Sequence, residues 1–155
     1  MESKARVTLV ERLPSSPAAV EAWVGHCALV AEDCHVAAYD VIDENLAETR
    51  ALCEQEAPQG VRVTTCRCDV SNDDQVNAFA RSSKKLGTEH INLLFNNAGI
   101  GGRGSFINTT REECNHTFNI CWSGVYFTSR AFLPMLLAST EGHTINTSSV
   151  NGFRA

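Results

Sequence analysis

Five short segments rich in β-branched and other apolar residues alternate along this chain with longer segments that favour helix. Such alternation predicts strands joined by helical crossovers, which place the strands parallel in one sheet and cover both of its faces with helices. We therefore predict an α/β fold in which residues 1–155 form a single domain with a doubly wound parallel sheet of about five strands. The predicted strands cover residues 7–10, 35–39, 61–68, 91–95 and 144–147.

Two helices are predicted in the first half of the chain. The first covers residues 45–56, where apolar side chains recur at positions 46, 47, 51 and 52. The second begins at Ser71, a residue type that caps helices well. Asp73 and Asp74 in its first turn interact favourably with the positive end of the helix dipole.

A longer helix is predicted from Thr110 to about Leu137. Thr110 is followed three residues later by Glu113, which is the spacing of a capping box, in which each side chain accepts a hydrogen bond from the other residue's backbone N–H. Pro134 is expected to kink or end this helix, because proline lacks a backbone N–H.

The composition argues against several classes of partner. A net charge of −5 without a basic stripe makes nucleic acid an unsuitable ligand. The first residues contain no apolar region of the kind found in a secretory signal. The longest apolar run, residues 131–138, is far shorter than the ~20 residues that a membrane span needs. We therefore expect a cytoplasmic protein with neither a nucleic-acid nor a membrane partner.

Seven cysteines are scattered through the sequence without a Cys-x-x-Cys pair. Cys66 and Cys68 alternate along one predicted strand and therefore point to one face of the sheet. No further ligand residues accompany them, so we predict no metal site. The cysteines are expected to be small, buried thiols, as in proteins of the reducing cytoplasm.

Polar residues lie where several predicted strands end, namely Asp40, Asp69, Asn96 and Ser149. Parallel sheets of this class bind ligands at the carboxyl ends of their strands. An acid at the end of the second strand, such as Asp40, accepts hydrogen bonds from the adenosine ribose of a dinucleotide and repels a 2′-phosphate, which favours NAD over NADP. The alternative is a solvated acid at a strand end.

Residues 91–95 run directly into the sequence Asn96-Asn97-Ala98-Gly99. This combination resembles the fourth strand of the short-chain dehydrogenases/reductases, and Asn119 and Ser149 lie where that family has functional residues. The resemblance covers residues from about 35 to 153. It implies a Rossmann-like domain that uses NAD, or less favourably NADP, to move a hydride between nicotinamide and an alcohol or carbonyl substrate.

The resemblance also implies which residues bind the cofactor. Asp69 is similar to the acid that accepts a hydrogen bond from the exocyclic amine of adenine, and Val70 is similar to the apolar residue that contacts the ring. The alternative for Asp69 is an acid that only stabilises a helix N-terminus. The backbone of Asn96, Asn97, Ala98 and Gly99 approaches the cofactor closely, since alanine and glycine present little bulk.

Ser149 lies in the sequence Asn146-Thr147-Ser148-Ser149, which is similar to the family's catalytic-serine segment. The resemblance implies that the Ser149 hydroxyl hydrogen-bonds the substrate oxygen, while a tyrosine assisted by a lysine transfers the proton. Asn119 matches the asparagine that holds a water molecule in the proton relay. The alternative for Ser149 is a turn serine that satisfies backbone groups.

Two glycine patterns bear on phosphate binding. The family's Thr-Gly-x-x-x-Gly-[Ile/Val]-Gly loop is expected after Val10, but residues 11–17 replace it here, and Glu11 would repel a phosphate. Either a shifted reading frame or a natural loop replacement accounts for this difference. The later Gly99-x-Gly101-x-x-Gly104 pattern is interpreted as a chance match, because residues 106–109 separate it from the next predicted helix.

No Tyr-x-x-x-Lys follows Ser149 within the 155 residues. Because loss of a general acid typically costs about 10²–10⁴-fold in rate, the chain as written is expected to be inactive or impaired. Two other interpretations stay open, namely a non-catalytic module that binds nucleotide or dimerises, and a defective gene product. The family commonly forms homo-oligomers through its long helix, here residues 110–137. The apolar side chains of that helix form such an interface, pack on the sheet, or do both on different faces; they include Phe118, Trp122, Val125 and Phe132.

Overall fold

A computed structural model of the protein describes residues 29–84, 89–101 and 107–149, together with the backbone of residues 6–11. Within these residues, five strands form one sheet, and every neighbouring pair is parallel. The predicted fold class is therefore confirmed, and each predicted strand end is correct to within two residues. The strands are β1 (Arg6–Glu11), β2 (Cys34–Asp40), β3 (Val63–Arg67), β4 (Leu93–Asn96) and β5 (His143–Asn146).

The strands follow the order β3-β2-β1-β4-β5 across the sheet. The chain therefore moves outward from β1 through β2 and β3, and then returns to add β4 and β5 on the other side of β1. In sheets of this kind, the reversal leaves a crevice between the carboxyl ends of the two strands that flank it, here β1 and β4. Ligands of doubly wound sheets bind in that crevice.

Helices cover both faces of the sheet, because successive residues of a strand point to opposite faces. Val36 of β2 belongs to a small buried cluster together with Cys53 of helix α1 (Asp43–Glu56). Tyr39 belongs to a larger cluster on the opposite face. There its ring centroid lies 5.0 Å from that of Phe79 in helix α2 (Asp73–Lys84), which in turn lies 5.5 Å from that of Phe132.

Helix α1 buries a different stripe from the one that its sequence predicts. Its buried residues are Leu46, Thr49 and Cys53, which follow the i, i+3, i+7 spacing of one helix face. Of the four apolar positions expected on this face, only Leu46 is buried, and the other three are exposed. Thr49 tolerates burial because its hydroxyl donates a hydrogen bond to the Asn45 carbonyl oxygen at 2.7 Å.

Helix α2 begins two residues later than predicted. Its first residue is Asp73 rather than Ser71, and the Asn72 side chain accepts a hydrogen bond from the Gln75 N–H at 3.1 Å. Ser71 instead donates two hydrogen bonds to Asp69 in the preceding turn. Asparagine and serine are both strong N-terminal caps, so residue type alone does not decide between them.

The predicted long helix is interrupted near its middle rather than at its proline. It consists of α3 (Arg111–Phe118), a π-helical turn (Asn119–Ser123) and α4 (Gly124–Leu137). The capping box of Thr110 is present, with both reciprocal hydrogen bonds formed. Pro134 lies inside α4, and the helix ends three residues after it. The π-helical turn is the irregularity that sequence reasoning missed, and such turns are frequent at functional sites.

The described cysteines differ in their burial. Cys66 packs against the large cluster that contains Cys68, as expected, whereas Cys114 and Cys121 are exposed. The expectation of buried thiols is wrong for these two, because α3 and the π-helical turn bury none of their residues. Over residues 29–84, 89–101 and 107–149, no three His, Cys, Asp or Glu side chains form a potential metal site. No helix in these ranges is long and apolar enough to cross a membrane.

The stability of the fold is expected to depend on pH through His35 of β2. Partial burial lowers the pKa of His35, and the charge of Arg62 lowers it further. The Nδ1 atom of His35 also accepts a hydrogen bond from the Arg62 backbone N–H at 3.0 Å, which a proton at that nitrogen would abolish. The unfolded chain therefore binds this proton at a higher pH than the folded chain does.

The free energy of unfolding should consequently be highest above the ordinary histidine pKa of 6.5. As the pH falls below that value and through the lowered pKa, it should decrease by about 1 kcal/mol or less, since the ring is only partly buried. Urea denaturation across this pH range measures the change. A His35→Asn variant keeps an acceptor for the Arg62 N–H but does not titrate, so it should lose this component. The same pH slope in wild type and variant would contradict the assignment to His35.

Candidate functional site

The carboxyl ends of the strands lie along one edge of the sheet. Asp40 and Arg67, the last residues of β2 and β3, are register partners. Asn96 and Asn146, the last residues of β4 and β5, are paired in the same way. Every cofactor-binding residue expected from the sequence lies at this edge or in a segment that follows it. Residues 12–17 of the replaced glycine loop and Gly104 of the later glycine pattern lie outside the described residues.

Asp40 is buried and stabilises the turn between β2 and α1 by hydrogen bonds. Only 4% of its surface is exposed, so the solvated acid considered as an alternative is wrong. One carboxylate oxygen accepts a hydrogen bond from the Ile42 N–H at 2.9 Å, and the other accepts one from the Asn45 amide at 3.0 Å. Each oxygen retains a second lone pair. Asp40 therefore fixes the start of α1 and keeps acceptor capacity at the end of β2.

Asp69 follows β3 and is half-buried. Its Oδ1 atom accepts hydrogen bonds from the backbone N–H of Ser71 at 2.9 Å and from the Ser71 hydroxyl at 2.7 Å. The Asp69 backbone N–H donates to Gln75 Oε1 at 2.9 Å. The second carboxylate oxygen receives no hydrogen bond from the described part of the chain. The turn thus holds Asp69 in one orientation and leaves an acceptor for a ligand donor.

Val70 is buried against α4. Only 3% of its surface is exposed, and a Cβ atom added to Gly124 would lie 2.8 Å from Val70 Cγ2. The lack of a side chain at Gly124 is therefore what lets α4 approach the turn after β3. Val70 holds this turn against α4, and only a small part of its surface is left for contact with a ring.

Asn96 connects β4 to β5 and to α4. Its Nδ2 atom donates hydrogen bonds to Ser129 Oγ at 3.0 Å and to Asn146 Oδ1 at 2.8 Å. Its Oδ1 atom accepts a hydrogen bond from the Thr128 hydroxyl at 2.7 Å. The residue is 3% exposed, so these bonds compensate the burial of the amide. Asn96 therefore contributes to ligand binding only through its backbone and by fixing the positions of the neighbouring residues.

Asn97 joins the same motif to the segment that carries Ser149. Its Oδ1 atom accepts a hydrogen bond from the Thr147 hydroxyl. The Thr147 backbone N–H donates to the Asn96 carbonyl oxygen at 3.0 Å, which extends the β4–β5 pairing beyond the strands. Ser149 lies two residues further along and is exposed. The cofactor motif and the catalytic-serine segment expected from the sequence are thus side by side.

Asn119 begins the π-helical turn and its side chain is exposed. Its carbonyl oxygen accepts a hydrogen bond from the Gly124 N–H, five residues along. In the same turn, Cys121 Sγ donates to the Ile100 carbonyl oxygen at 3.5 Å. Because Ile100 directly follows Gly99, the π-helical turn lies against the end of the β4 motif.

Sequence reasoning did not identify the partners of Asn96, which are Thr128, Ser129 and Asn146. A signal for the first two exists, since a Thr-Ser-Arg run interrupts the mostly apolar sequence of α4. A buried hydroxyl needs a hydrogen-bond partner, so Thr128 predicts a polar group beneath the helix. The pairing of Asn96 with Asn146 depends on the β4–β5 register, which the sequence does not reveal.

Comparison with known proteins identifies the family of the chain. A family model described as short chain dehydrogenase matches residues 26–155. The chain belongs to the short-chain dehydrogenase/reductase family. The curated relative "Dehydrogenase/reductase SDR family member 6" of Danio rerio is 31% identical over 123 residues, which are 79% of this chain and 45% of that protein. The chain thus spans about half the length of this short-chain dehydrogenase/reductase relative.

Solved structures of short-chain dehydrogenases/reductases share the fold. One from Burkholderia phymatum, in complex with NAD, is 27% identical with a TM-score of 0.79, and the match covers 100% of this chain and 53% of that one. An NADPH-bound short chain oxidoreductase from Pseudomonas aeruginosa PAO1, described as containing an atypical catalytic center, is 29% identical with a TM-score of 0.82. That match covers 96% of this chain and 56% of the other. The expected Rossmann-like architecture is therefore confirmed.

Proposed function

We propose that this chain provides the dinucleotide-binding half of an oxidoreductase that transfers a hydride between a nicotinamide cofactor and an alcohol or carbonyl substrate. The observation that carries the proposal is the pairing of the Asn96–Gly99 motif with the segment of Ser149. Asn96 donates a hydrogen bond to Asn146, and Asn97 accepts one from Thr147, which supports this pairing. The pairing lies where doubly wound sheets bind dinucleotides.

The adenosine part of the cofactor is assigned to the ends of β2 and β3. Asp69 fits the adenine amine, because its turn orients the carboxylate and one oxygen receives no hydrogen bond from the described residues. Val70 contributes an apolar contact to the ring. Asp40 fits the ribose hydroxyls through its remaining lone pairs, and its charge makes NAD the preferred cofactor. The NAD-bound relative from Burkholderia phymatum supports NAD, and the NADPH-bound relative supports the dinucleotide class.

The nicotinamide end is assigned to the ends of β4 and β5. A bound nicotinamide accepts or supplies the hydride. Asn97, Ala98 and Gly99 form the floor beneath it, since their small or engaged side chains let the backbone approach. The Ser149 hydroxyl donates a hydrogen bond to the substrate oxygen, and Asn119 holds a water molecule in the proton relay. In the family, a tyrosine and a lysine in a Tyr-x-x-x-Lys pattern complete the proton transfer. Residues 1–155 do not contain this pattern.

The assignment of Asp69 can be tested by calorimetric titration of the purified chain with NAD. Asp69→Asn keeps the size of the side chain and an oxygen for Ser71, but it presents an amide donor to the adenine amine. We expect this variant to lower NAD affinity about tenfold or more. The introduced side-chain amide and the adenine amine are both donors, so they cannot hydrogen-bond each other. Asp74→Asn removes the same charge at an exposed position of α2 and should change the affinity less than about twofold. Equal affinities of wild type and Asp69→Asn would refute the assignment.

Turnover is tested separately by following the absorbance of reduced nicotinamide with simple secondary alcohols and ketones. Ser149→Ala should lower the measured rate without changing NAD affinity, because it removes the hydrogen bond to the substrate oxygen. An unchanged rate in Ser149→Ala would contradict the role of the serine.

We infer that the chain also forms a homo-oligomer through the long helix. Phe118, Trp122 and Tyr126 are exposed and stack along one side of the helix, with successive ring centroids 5.1 Å and 6.0 Å apart. Large aromatic side chains at protein interfaces carry much of the binding energy. Trp122→Glu should therefore convert an oligomer into a monomer in analytical ultracentrifugation, whereas Asp74→Lys at an exposed position of α2 should have a smaller effect. A monomeric wild type would refute the inference.

The cytoplasm is the location that we propose for the protein. Cys114 and Cys121 are free thiols that are exposed to solvent. Free exposed thiols persist in the reducing cytoplasm and tend to be oxidised in secretory compartments. Fractionation of cells that express the tagged protein tests this location, and recovery from a secretory compartment would contradict it.

A further inference from the structure

β5 is an outer strand of the sheet, and within the described residues it pairs with β4 alone. All of its residues are exposed, and none of them is an acid, a lysine, an arginine or a proline. Natural sheets usually protect an outer strand from further pairing with charged side chains or proline. The sequence of β5 provides neither kind of protection.

β3, the outer strand on the other side of the sheet, differs in this respect. It ends on Arg67, which is exposed, and the exposed Arg62 directly precedes it. These two charges oppose the addition of another strand. Of the two outer strands, β5 is therefore the one that is suited to pairing.

The backbone groups at the outer side of β5 are complementary to a second copy of themselves. His143 and Thr147 donate their N–H groups toward β4, at 2.7 Å and 3.0 Å. Because successive residues alternate, the N–H and C=O groups of Thr144 and Asn146 point away from β4. A two-fold axis beside Ile145 places Thr144 of one copy opposite Asn146 of the other, and each such pair exchanges two N–H···O=C hydrogen bonds.

Pairing about this axis also buries apolar surface. Ile145 is exposed and is the register partner of Phe95, which packs on the buried cluster that contains Val36. Helix α1 covers this face mainly over β2 and β3, so it leaves Ile145 uncovered. About the two-fold axis, the two Ile145 side chains face each other at a non-hydrogen-bonded position, where opposite side chains approach most closely.

We propose that two copies of this chain associate by antiparallel pairing of their β5 strands, which joins the two five-stranded sheets into one. The carboxyl edges of the two sheets then point in opposite directions, so both candidate sites stay open. Because only two short strands meet, the interface is small and the dimer is weak, with a Kd of about 10⁻⁴ M. The pairing thus forms in concentrated samples and is separate from the interface of the long helix.

The test is sedimentation equilibrium of the full chain carrying Trp122→Glu, from about 10 μM to about 1 mM. This substitution disables the long helix as an interface, so the remaining association reports on β5. Adding Ile145→Lys should raise the Kd about tenfold or more, because it places like charges opposite each other. Ile107→Lys makes the same change at an exposed position before α3 and should alter the Kd less than about twofold.

A second pair of variants tests the backbone hydrogen bonds. Thr144→Pro removes an N–H that points away from β4, so the β4–β5 hydrogen bonds are retained. We expect this change to raise the Kd about tenfold, because each dimer loses the bond twice. Thr144→Val keeps the N–H and removes only the hydroxyl, so the Kd should change less than about twofold.

Dimerisation that is weakened by Ile145→Lys and Thr144→Pro, but not by Ile107→Lys and Thr144→Val, supports the proposal. A Trp122→Glu chain that stays monomeric at about 1 mM would overturn it. Equal effects within either matched pair would also overturn it, because the association would then not depend on the outer side of β5. Thermal denaturation of each variant verifies that the fold is retained.

Discussion

Replacing Asn96 by leucine should lower the free energy of unfolding by about 2–3 kcal/mol and weaken dinucleotide binding. The leucine has the same branched arrangement of side-chain heavy atoms but removes the donors to Ser129 and Asn146 and the acceptor of Thr128. These partners lie on α4 and β5, so the substitution disrupts the contact between both elements and β4. Urea denaturation measures the loss of stability, and NAD titration measures the loss of affinity.

Asn108→Leu is a matched control for this substitution. Asn108 lies in an exposed turn, so the same chemical change should alter the stability by less than about 0.5 kcal/mol. Asn96→Asp provides a second comparison, because a carboxylate keeps the acceptor for Thr128 but loses the donors to Ser129 and Asn146. Its stability should lie below that of the wild type. An Asn96→Leu variant as stable as Asn108→Leu would show that the network contributes nothing to the fold.

Replacing Phe132 by alanine should produce the larger loss of stability, about 3–5 kcal/mol. Phe132 is fully buried in α4, and its ring contacts Phe79 edge to face. Phe79 in turn packs on Tyr39 of β2, so the three rings connect α4, α2 and the sheet. Alanine at position 132 leaves a cavity next to the Phe79 ring, and the surrounding core side chains fill this cavity only partly. Thermal and urea denaturation measure the effect.

The adjacent Leu133 provides the control, since it lies on the same helix but is half exposed. Leu133→Ala should therefore cost less than about 1 kcal/mol. Equal losses in Phe132→Ala and Leu133→Ala would contradict the packing of α4 on the sheet described above. The comparison also separates the two roles that the sequence left open for this helix. Phe132 packs in the core, whereas Phe118, Trp122 and Tyr126 are exposed to solvent.

The sheet could be predicted from the sequence because its strands are short, apolar and regularly separated by helices. Periodicity was less informative for the helices. In α1 the alanines and Leu52 suggested a wider apolar face than the one that is buried, and a threonine took a buried position. The π-helical turn at Asn119–Ser123 has no proline or other local signal. Its Cys121 side chain contacts the Ile100 carbonyl oxygen, 21 residues away in the sequence, and local periodicity does not reveal such a contact.

The candidate site was predictable where a short motif carries its chemistry. Asn96 to Gly99, Asp69 and Asp40 all lie at the expected edge of the sheet. The hydrogen bonds that position them were not predictable, because they join residues far apart in the sequence. Asn96 is 50 residues from its partner Asn146. The sequence left open whether Asp40 binds a ligand or is a solvated acid, and two local donors let it be buried at the end of its strand.

The central claim is that a nicotinamide dinucleotide binds at the carboxyl ends of β2, β3 and β4. The most direct measurement is the change in backbone amide NMR signals of the isotope-labelled chain on titration with NAD. We predict saturable changes that cluster at residues 40–42, 69–71 and 97–100, while His35 and Arg62 at the opposite edge stay unchanged. Saturation without changes at the first two segments would contradict the adenosine site. The absence of any saturable change would contradict the central claim.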